Sequence, residues 1–319
     1  MTTSMDIKLY QQAKKNGFEV RPRKDLKIKP NNNSSDFVMP SFVHGCPVAS
    51  CAYCYCARHN NFGNPVTQFS NIDNILEEAI LHSESIGMKK VPNQQDDFYY
   101  VYEIGEESDL LSSQNIDLTN YAINRLINDG HFIKTTFATK LSNKHTVKNL
   151  IECPTYRQGR IRVSLMPQKV SDILEPGTAK IKDRIESIYA LYKKGYEVHV
   201  NFAPIIMYNT WLQDYLQLFE DINSYLNTLP IADSKRIKNQ LACEIIFLTH
   251  HPKLHESNLQ WNSEAESILW QPDNQEFKTN KRGGTNILRY KLEIKKPAMK
   301  VLFGALKKHM PYCRVRYAF

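Results

Sequence analysis

A chain of 319 residues with 42% apolar and 11% aromatic content is long enough for one large α/β domain, or for a barrel with a smaller appendage. It contains no run of about eighteen apolar residues, which excludes a membrane-spanning helix, and the polar start Met1–Tyr10 lacks the apolar stretch of a secretory signal, so a cytoplasmic protein is expected. The net charge of +8 is unevenly placed: residues 278–319 carry twelve Lys or Arg against the single acid Glu293, while the preceding 277 residues carry 29 bases and 32 acids. A neutral body with a basic end points to an anionic partner, nucleic acid first, with a merely solvated basic tail as the alternative.

Residues 1–36 are basic and polar, end in Pro30-Asn31-Asn32-Asn33-Ser34-Ser35, and are expected to form an N-terminal arm outside the core. Phe37–His44 has the look of a strand. Asn74–His82, inside 72–86, has helical spacing, with Ile75, Leu76, Ala79 and Ile80 on one face and Gly87 as the stop. Asp97–Ile104 is a strand by its aromatic and β-branched residues, Tyr121–Asn128 a helix closed at Asp129-Gly130, and His131–Thr139 a further strand. After the short run Val147–Ile151 come strand Arg160–Leu165, helix Lys180–Lys194, strand Glu197–Phe202, helix Thr210–Leu229 and strand Cys243–Leu248. Alternation of this kind over 37–250 is the pattern of βα units on a parallel sheet. Six strands are too few for a closed eight-stranded barrel, so the expected fold is α/β, a partial (β/α)6 TIM-like barrel. Residues 251–319 break the alternation and are expected to form a C-terminal extension that closes the barrel mouth or grips a substrate.

Seven cysteines occur, an odd number without a secretory signal, which argues against a disulfide framework. Four of them lie in His44-Gly45-Cys46-Pro47-Val48-Ala49-Ser50-Cys51-Ala52-Tyr53-Cys54-Tyr55-Cys56. Three thiolates on one loop, Cys46, Cys51 and Cys54, can hold three irons of a 4Fe–4S cubane and leave the fourth open for the amino and carboxylate groups of S-adenosyl-L-methionine (SAM). Structural zinc competes: Cys56, His44 or His59 can complete a set of four with Cys51 and Cys54.

Beyond the cysteines the sequence resembles the spore photoproduct lyase family of radical SAM enzymes. The likeness is carried by Gly45–Tyr55, by Arg162-Val163-Ser164, by Glu175-Pro176-Gly177-Thr178 with Arg184-Ile185, and by Gly195-Tyr196. Ala203-Pro204-Ile205-Ile206, Trp211 with Tyr215, and Phe247-Leu248-Thr249-His250 continue it. The resemblance implies a TIM-like partial barrel, a 4Fe–4S cluster, a SAM-derived 5′-deoxyadenosyl radical, a DNA or nucleotide substrate, and a reducing partner such as a flavodoxin or ferredoxin. It implies SAM contacts at Ser108, Lys140 and Ser164, placed at strand C-termini where barrels keep their active sites. Lys140 suits the SAM carboxylate. Tyr53 and Tyr55 correspond to tyrosines flanking the last cluster cysteine, one of which is thought to relay a hydrogen atom. For Tyr53, packing against the cluster is the stronger expectation.

Two departures stand out. Cys46 and Cys51 have four residues between them where the family has three, and Cys56 is an extra thiol expected to be buried or behind the ligands. Glu106 stands where the family has its hydrogen-donor cysteine, which argues against plain photoproduct repair. Gly105-Glu106 also resembles the Gly-Glu pair that binds the SAM amino group, with a carboxylate at a helix N-terminus as the alternative. In the basic end, Lys281, Arg282, Arg289 and Tyr290 are the candidates for gripping phosphates and stacking on a base. The remaining readings are a radical SAM enzyme acting on a peptide or small metabolite, and a non-catalytic nucleic-acid-binding relative.

Overall fold

The computed structural model describes residues 14, 17–31, 33–48, 50–54, 56, 66–279 and 286–319. In chain order the first elements are β1 (Glu19–Arg21), β2 (Lys29–Pro30), β3 (Phe37–Val38), β4 (Val43–His44), β5 (Thr67–Phe69), α1 (Ile72–Ile86), β6 (Tyr100–Glu103), α2 (Ile116–Asp129), β7 (Ile133–Thr139) and α3 (Lys144–Asn149). Next come β8 (Gly159–Ser164), α4 (Gln168–Leu174), α5 (Ile181–Lys193), β9 (Glu197–Ile205), α6 (Trp211–Thr228), α7 (Ile231–Gln240), β10 (Ala242–Phe247) and β11 (Thr249–His250). The chain continues with α8 (Pro252–Trp261), α9 (Ser263–Leu269), β12 (Gln275–Thr279), β13 (Asn286–Tyr290), α10 (Leu292–His309) and β14 (Arg314–Ala318).

The main sheet has the order β14-β10-β9-β8-β7-β6-β3-β2. Its strands run parallel from β3 through β14, with β2 antiparallel on the edge. The sheet curls until its two ends meet: Arg316 on edge strand β14 donates from Nη2 to the Ser34 carbonyl at the opposite edge, 3.0 Å away. The fold is therefore the expected partial barrel, with seven parallel strands where six were counted. The seventh is β14, so the barrel sheet draws on residues well past position 250. The Phe37–His44 run divides, β3 joining the main sheet and β4 pairing with β5 in a small sheet with β1. The N-terminal segment is also tied in, by β1 and β2 and by Arg23, whose Nη1 donates to Glu107 at 2.9 Å.

The strands explain themselves by alternation. In β8 (GRIRVS) and β9 (EVHVNFAPI) the apolar residues Ile161, Val163, Val198, Val200 and Phe202 face the helices and are fully buried. The alternate residues, mostly polar or charged, face the lumen. There Arg162 pairs with Glu103 and, at 3.1 Å, with Glu244; Glu244 also takes Arg316 at 3.2 Å. One level down, Glu197 pairs with Lys134 and, at 2.9 Å, with Arg160. Burial opposes the charge of Glu197, but Arg160, His199 and Lys134 outweigh it and hold its pKa well below the usual carboxylate range.

Candidate active site

Above this plugged lumen, at the C-terminal ends of the strands, lies a cavity of about 400 Å³. Cys46, Cys51, Cys54 and Cys56 all line it. The loop that carries them leaves β4 through Gly45, whose φ of 88° suits glycine and whose N–H donates to the Glu107 carbonyl at 3.1 Å. A turn closes between Cys51 and Cys54, the Cys54 N–H donating to the Cys51 carbonyl at 3.0 Å. Burial is the first cause that raises the Cys51 thiol pKa; Lys140 opposes it, while Glu175, Cys54 and Cys46 add to it. Each thiolate in the group thus penalises the next. Such a group stays charged only beside a cation, which is the demand a bound metal meets.

The turn Glu175–Thr178 buttresses the loop from behind. Tyr53 donates its hydroxyl to Glu175, and Ser50 donates to the Pro176 carbonyl. Gly177, at φ 82°, gives this turn a left-handed conformation that other residues rarely adopt. Arg184, wholly buried, ties the turn to the strands. It donates to Glu175 at 2.8 Å, to Thr178 at 2.6 Å, and through Nη1 to the Ser164 carbonyl at 3.0 Å. Burial raises the Glu175 pKa, but Arg184 and Lys140 prevail and lower it, so Glu175 is a carboxylate. The quoted motif residues Glu175, Gly177 and Arg184 thus share one task, holding the cysteine loop.

The opposite wall comes from strand ends. Gly105, Glu106, Ser108, Lys140 and Ser164 all face the cavity. Gly105 has no room for a side chain, because a Cβ would come within 2.7 Å of Phe137 Cβ. Ser108 is buried and accepts from Asn115 Nδ2 at 3.0 Å, which leaves its hydroxyl proton to donate. Lys140 has its ammonium 5.6 Å from the Tyr53 ring. Burial disfavours that charge, yet Glu175, Cys51 and Cys54 overcome it and raise the Lys140 pKa, so it stays cationic.

Two groups on this wall were not anticipated. Asp109 accepts from the Lys140 N–H at 2.7 Å and the Thr139 hydroxyl at 2.8 Å, fixing the turn that presents Lys140. Asn201 lines the cavity with its buried Oδ1 lacking any hydrogen-bond partner, an acceptor for a ligand N–H or O–H. Asp109 directly follows the predicted Ser108, beyond an apolar strand, where a local reading could have found it; Asn201 lies in the middle of β9, level with Ser164, and only the pairing of β8 with β9 brings it to this wall. Cys56 is buried, as expected, but it also lines the cavity, its Sγ 3.8 Å from the Glu106 carbonyl.

The nucleic-acid candidates fare differently. Tyr290 is buried, its hydroxyl accepting from the Met207 N–H at 2.9 Å and its ring packed edge-on against Phe247, so it offers no face to a base. This corrects its expected stacking role: on β13 its alternation points it into the core. Arg289 is half-buried on the same strand, near Lys278 and Lys295; burial first, then Arg289 and Lys278, lower the Lys295 pKa. Tyr55, Lys281 and Arg282 lie outside the described residues.

Comparison with known proteins decides the kinship: the family described as "Spore photoproduct lyase" matches residues 1–318. The chain belongs to the spore photoproduct lyase family. A curated spore photoproduct lyase of Bacillus subtilis (strain 168) is 27% identical over 225 residues, covering 69% of this chain and 60% of the relative. Another, from Clostridium acetobutylicum, is 25% identical over 212 residues, covering 66% and 59%. The match thus spans about three-fifths of the length of these curated relatives. Among solved structures, a spore photoproduct lyase cysteine-to-alanine variant with dinucleoside spore photoproduct superposes with a TM-score of 0.80 at 19% identity, covering 98% of this chain and 94% of the other. A double variant with bound AdoMet and the same dinucleoside gives 0.78 at 18% identity with equal coverage. At such identities these structures establish the shared fold of the spore photoproduct lyase family.

Proposed function

We propose that this family member is a radical SAM enzyme of the lyase type acting on DNA or a nucleotide. The reading is carried by one observation: the thiols of a single loop and the polar ends of three barrel strands, Ser108, Lys140 and Ser164, face the same cavity. Cys46, Cys51 and Cys54 would hold a 4Fe–4S cluster, and mutually close thiols that raise one another's pKa, with the single cation Lys140 lowering it, fit such a group. When bound, the cluster and SAM supply one-electron cleavage of the sulfonium, the source of a carbon radical.

The protein's own part is positioning and exclusion. Lys140 offers its ammonium to the SAM carboxylate, and Glu106 offers a carboxylate to the amino group. Ser108 donates a hydroxyl proton, while Asn201 offers its unused acceptor. Tyr53, held by Glu175, locks the loop and shields its inner side from water. Tyr55, next to the last ligand, remains the proposed hydrogen-atom relay. A nucleotide substrate accords with the dinucleoside bound by the related structures and with the cationic group Lys278, Arg289 and Lys295. A base must leave its stack to reach the cavity. A flavodoxin or ferredoxin is the proposed electron donor.

Anaerobic reconstitution tests the reading: brown iron–sulfur absorption with about four irons per chain, and deoxyadenosine release from SAM with dithionite, are expected. Protein that binds zinc alone and never cleaves SAM overturns it.

A further inference from the structure

A second group of metal-type ligands lies outside the cavity. His250 on β11, His255 on α8 and Glu266 on α9 bring two ring nitrogens and a carboxylate to within 4.8 Å of one another. His250 is wholly buried, Glu266 is 3% exposed, and the His255 side chain is 21% exposed, so the group is closed on one side and reached from solvent on the other. Glu266 uses both oxygens: Oε1 lies 2.9 Å from His250 Nε2 and Oε2 lies 2.6 Å from His255 Nδ1. Trp270 stacks on the His255 ring at a centroid distance of 3.8 Å and 15° between planes, which fixes where its nitrogens point. Asn258, one helical turn after His255 and also wholly buried, donates through Nδ2 to Glu266, while its Oδ1 has no partner.

We propose that His250, His255 and Glu266 form a metal site for zinc or a similar borderline divalent cation, separate from the cysteines. Two imidazoles and one carboxylate, with a further position open toward solvent, make the donor set of a three-ligand zinc site. Magnesium and calcium are disfavoured, since they ask for six or more oxygens. Tetrahedral zinc with bonds of about 2.0–2.1 Å needs ligand atoms about 3.3 Å apart, so the 2.6 and 2.9 Å contacts open slightly and no pair closes by more than roughly 1.5 Å from the 4.8 Å limit. On binding, each imidazole presents a lone pair in place of its N–H, and the carboxylate exchanges two N–H partners for the cation.

The site has a structural consequence. Asn258 Nδ2 also donates to the Ala52 carbonyl at 2.7 Å, between Cys51 and Cys54. A cation on Glu266 would therefore fix the helix that grips the cysteine loop. This makes the group a clamp, and the proposal stands whether or not the cysteines hold iron.

The full chain, purified without chelator or dialysed against zinc, is the sample to test. Metal analysis with X-ray absorption is expected to show about one zinc per chain in nitrogen and oxygen coordination near 2.0 Å, without the 2.3 Å sulfur shell of cysteine-bound zinc. His255→Ala and Glu266→Gln should each lose that zinc while keeping the capacity of the cysteines for iron. Zinc should raise the melting temperature of the parent protein and leave both variants unmoved. Hydrogen exchange over residues 50–54 should slow with zinc in the parent alone. Zinc bound only through sulfur, or a parent protein that takes up no zinc and melts unchanged with it, shows a hydrogen-bonded triad only and overturns the proposal. Because the melting series needs no variant, misfolding of either substitution cannot hide the answer.

Discussion

The barrel holds two buried charged regions, one above the other, and they are built on opposite terms. In the lumen the charges are matched: Arg162 and Arg316 share Glu244, and Lys134 and Arg160 share Glu197. In the cavity above, the thiols crowd one another, Lys140 makes no salt bridge with a described carboxylate, and Asn201 has an idle oxygen. Matched charge gives a rigid floor. Crowded thiols and an idle acceptor, kept in place by the Tyr53–Glu175–Arg184 buttress, mark a place suited to a bound group.

That contrast can be broken from either side. The largest effect is expected from Cys51→Ala, which should abolish bound iron after reconstitution while circular dichroism stays native; iron and sulfide assays check it. In the floor, Glu244→Gln takes the carboxylate partner from buried Arg316 and leaves Arg162 with Glu103 alone, and should cost about 3–5 kcal/mol, read from the shift of the urea midpoint. In the cavity, Lys140→Met should weaken SAM binding by roughly tenfold to a hundredfold, the worth of a charge-assisted hydrogen bond of about 1.5–3 kcal/mol, measured by titration calorimetry.

Acid should sharpen the same distinction. The folded pKa of Glu197 is depressed, so its contribution to stability is complete above the ordinary carboxylate pKa near 4.5 and is lost as pH falls below it. Denaturation midpoints should therefore drop steeply below about pH 4.5, and less steeply in Glu197→Gln, which starts from lower stability. The smallest effect concerns the basic surface: Arg289→Ala with Lys295→Ala should lower the salt dependence of DNA affinity by a slope of about one per cation removed.

The cysteine loop and most barrel strands were readable because alternation and spacing are local; Ser108, Lys140 and Ser164 came instead from the family resemblance, and the structure puts all three on the cavity wall. What escaped depended on pairing across the chain. The edge strand β14 follows a helix that contains Pro297, and nothing local says that it joins β10. The Phe37–His44 run read as one strand, yet its halves serve different sheets. Tyr290 read as a base-stacking residue because its neighbours are basic, whereas strand alternation buries it. The triad of His250, His255 and Glu266 spans three elements, so no spacing rule brings it together.

The tie from Asn258 to Ala52 reaches across 206 positions. The cysteine loop emerges from the ribosome early, but its carbonyl anchor arrives only after nearly all the barrel strands have been made. A nascent chain thus exposes its thiols for most of its synthesis without their final brace. Any group built on these thiols would therefore find its full support only after translation has passed Asn258.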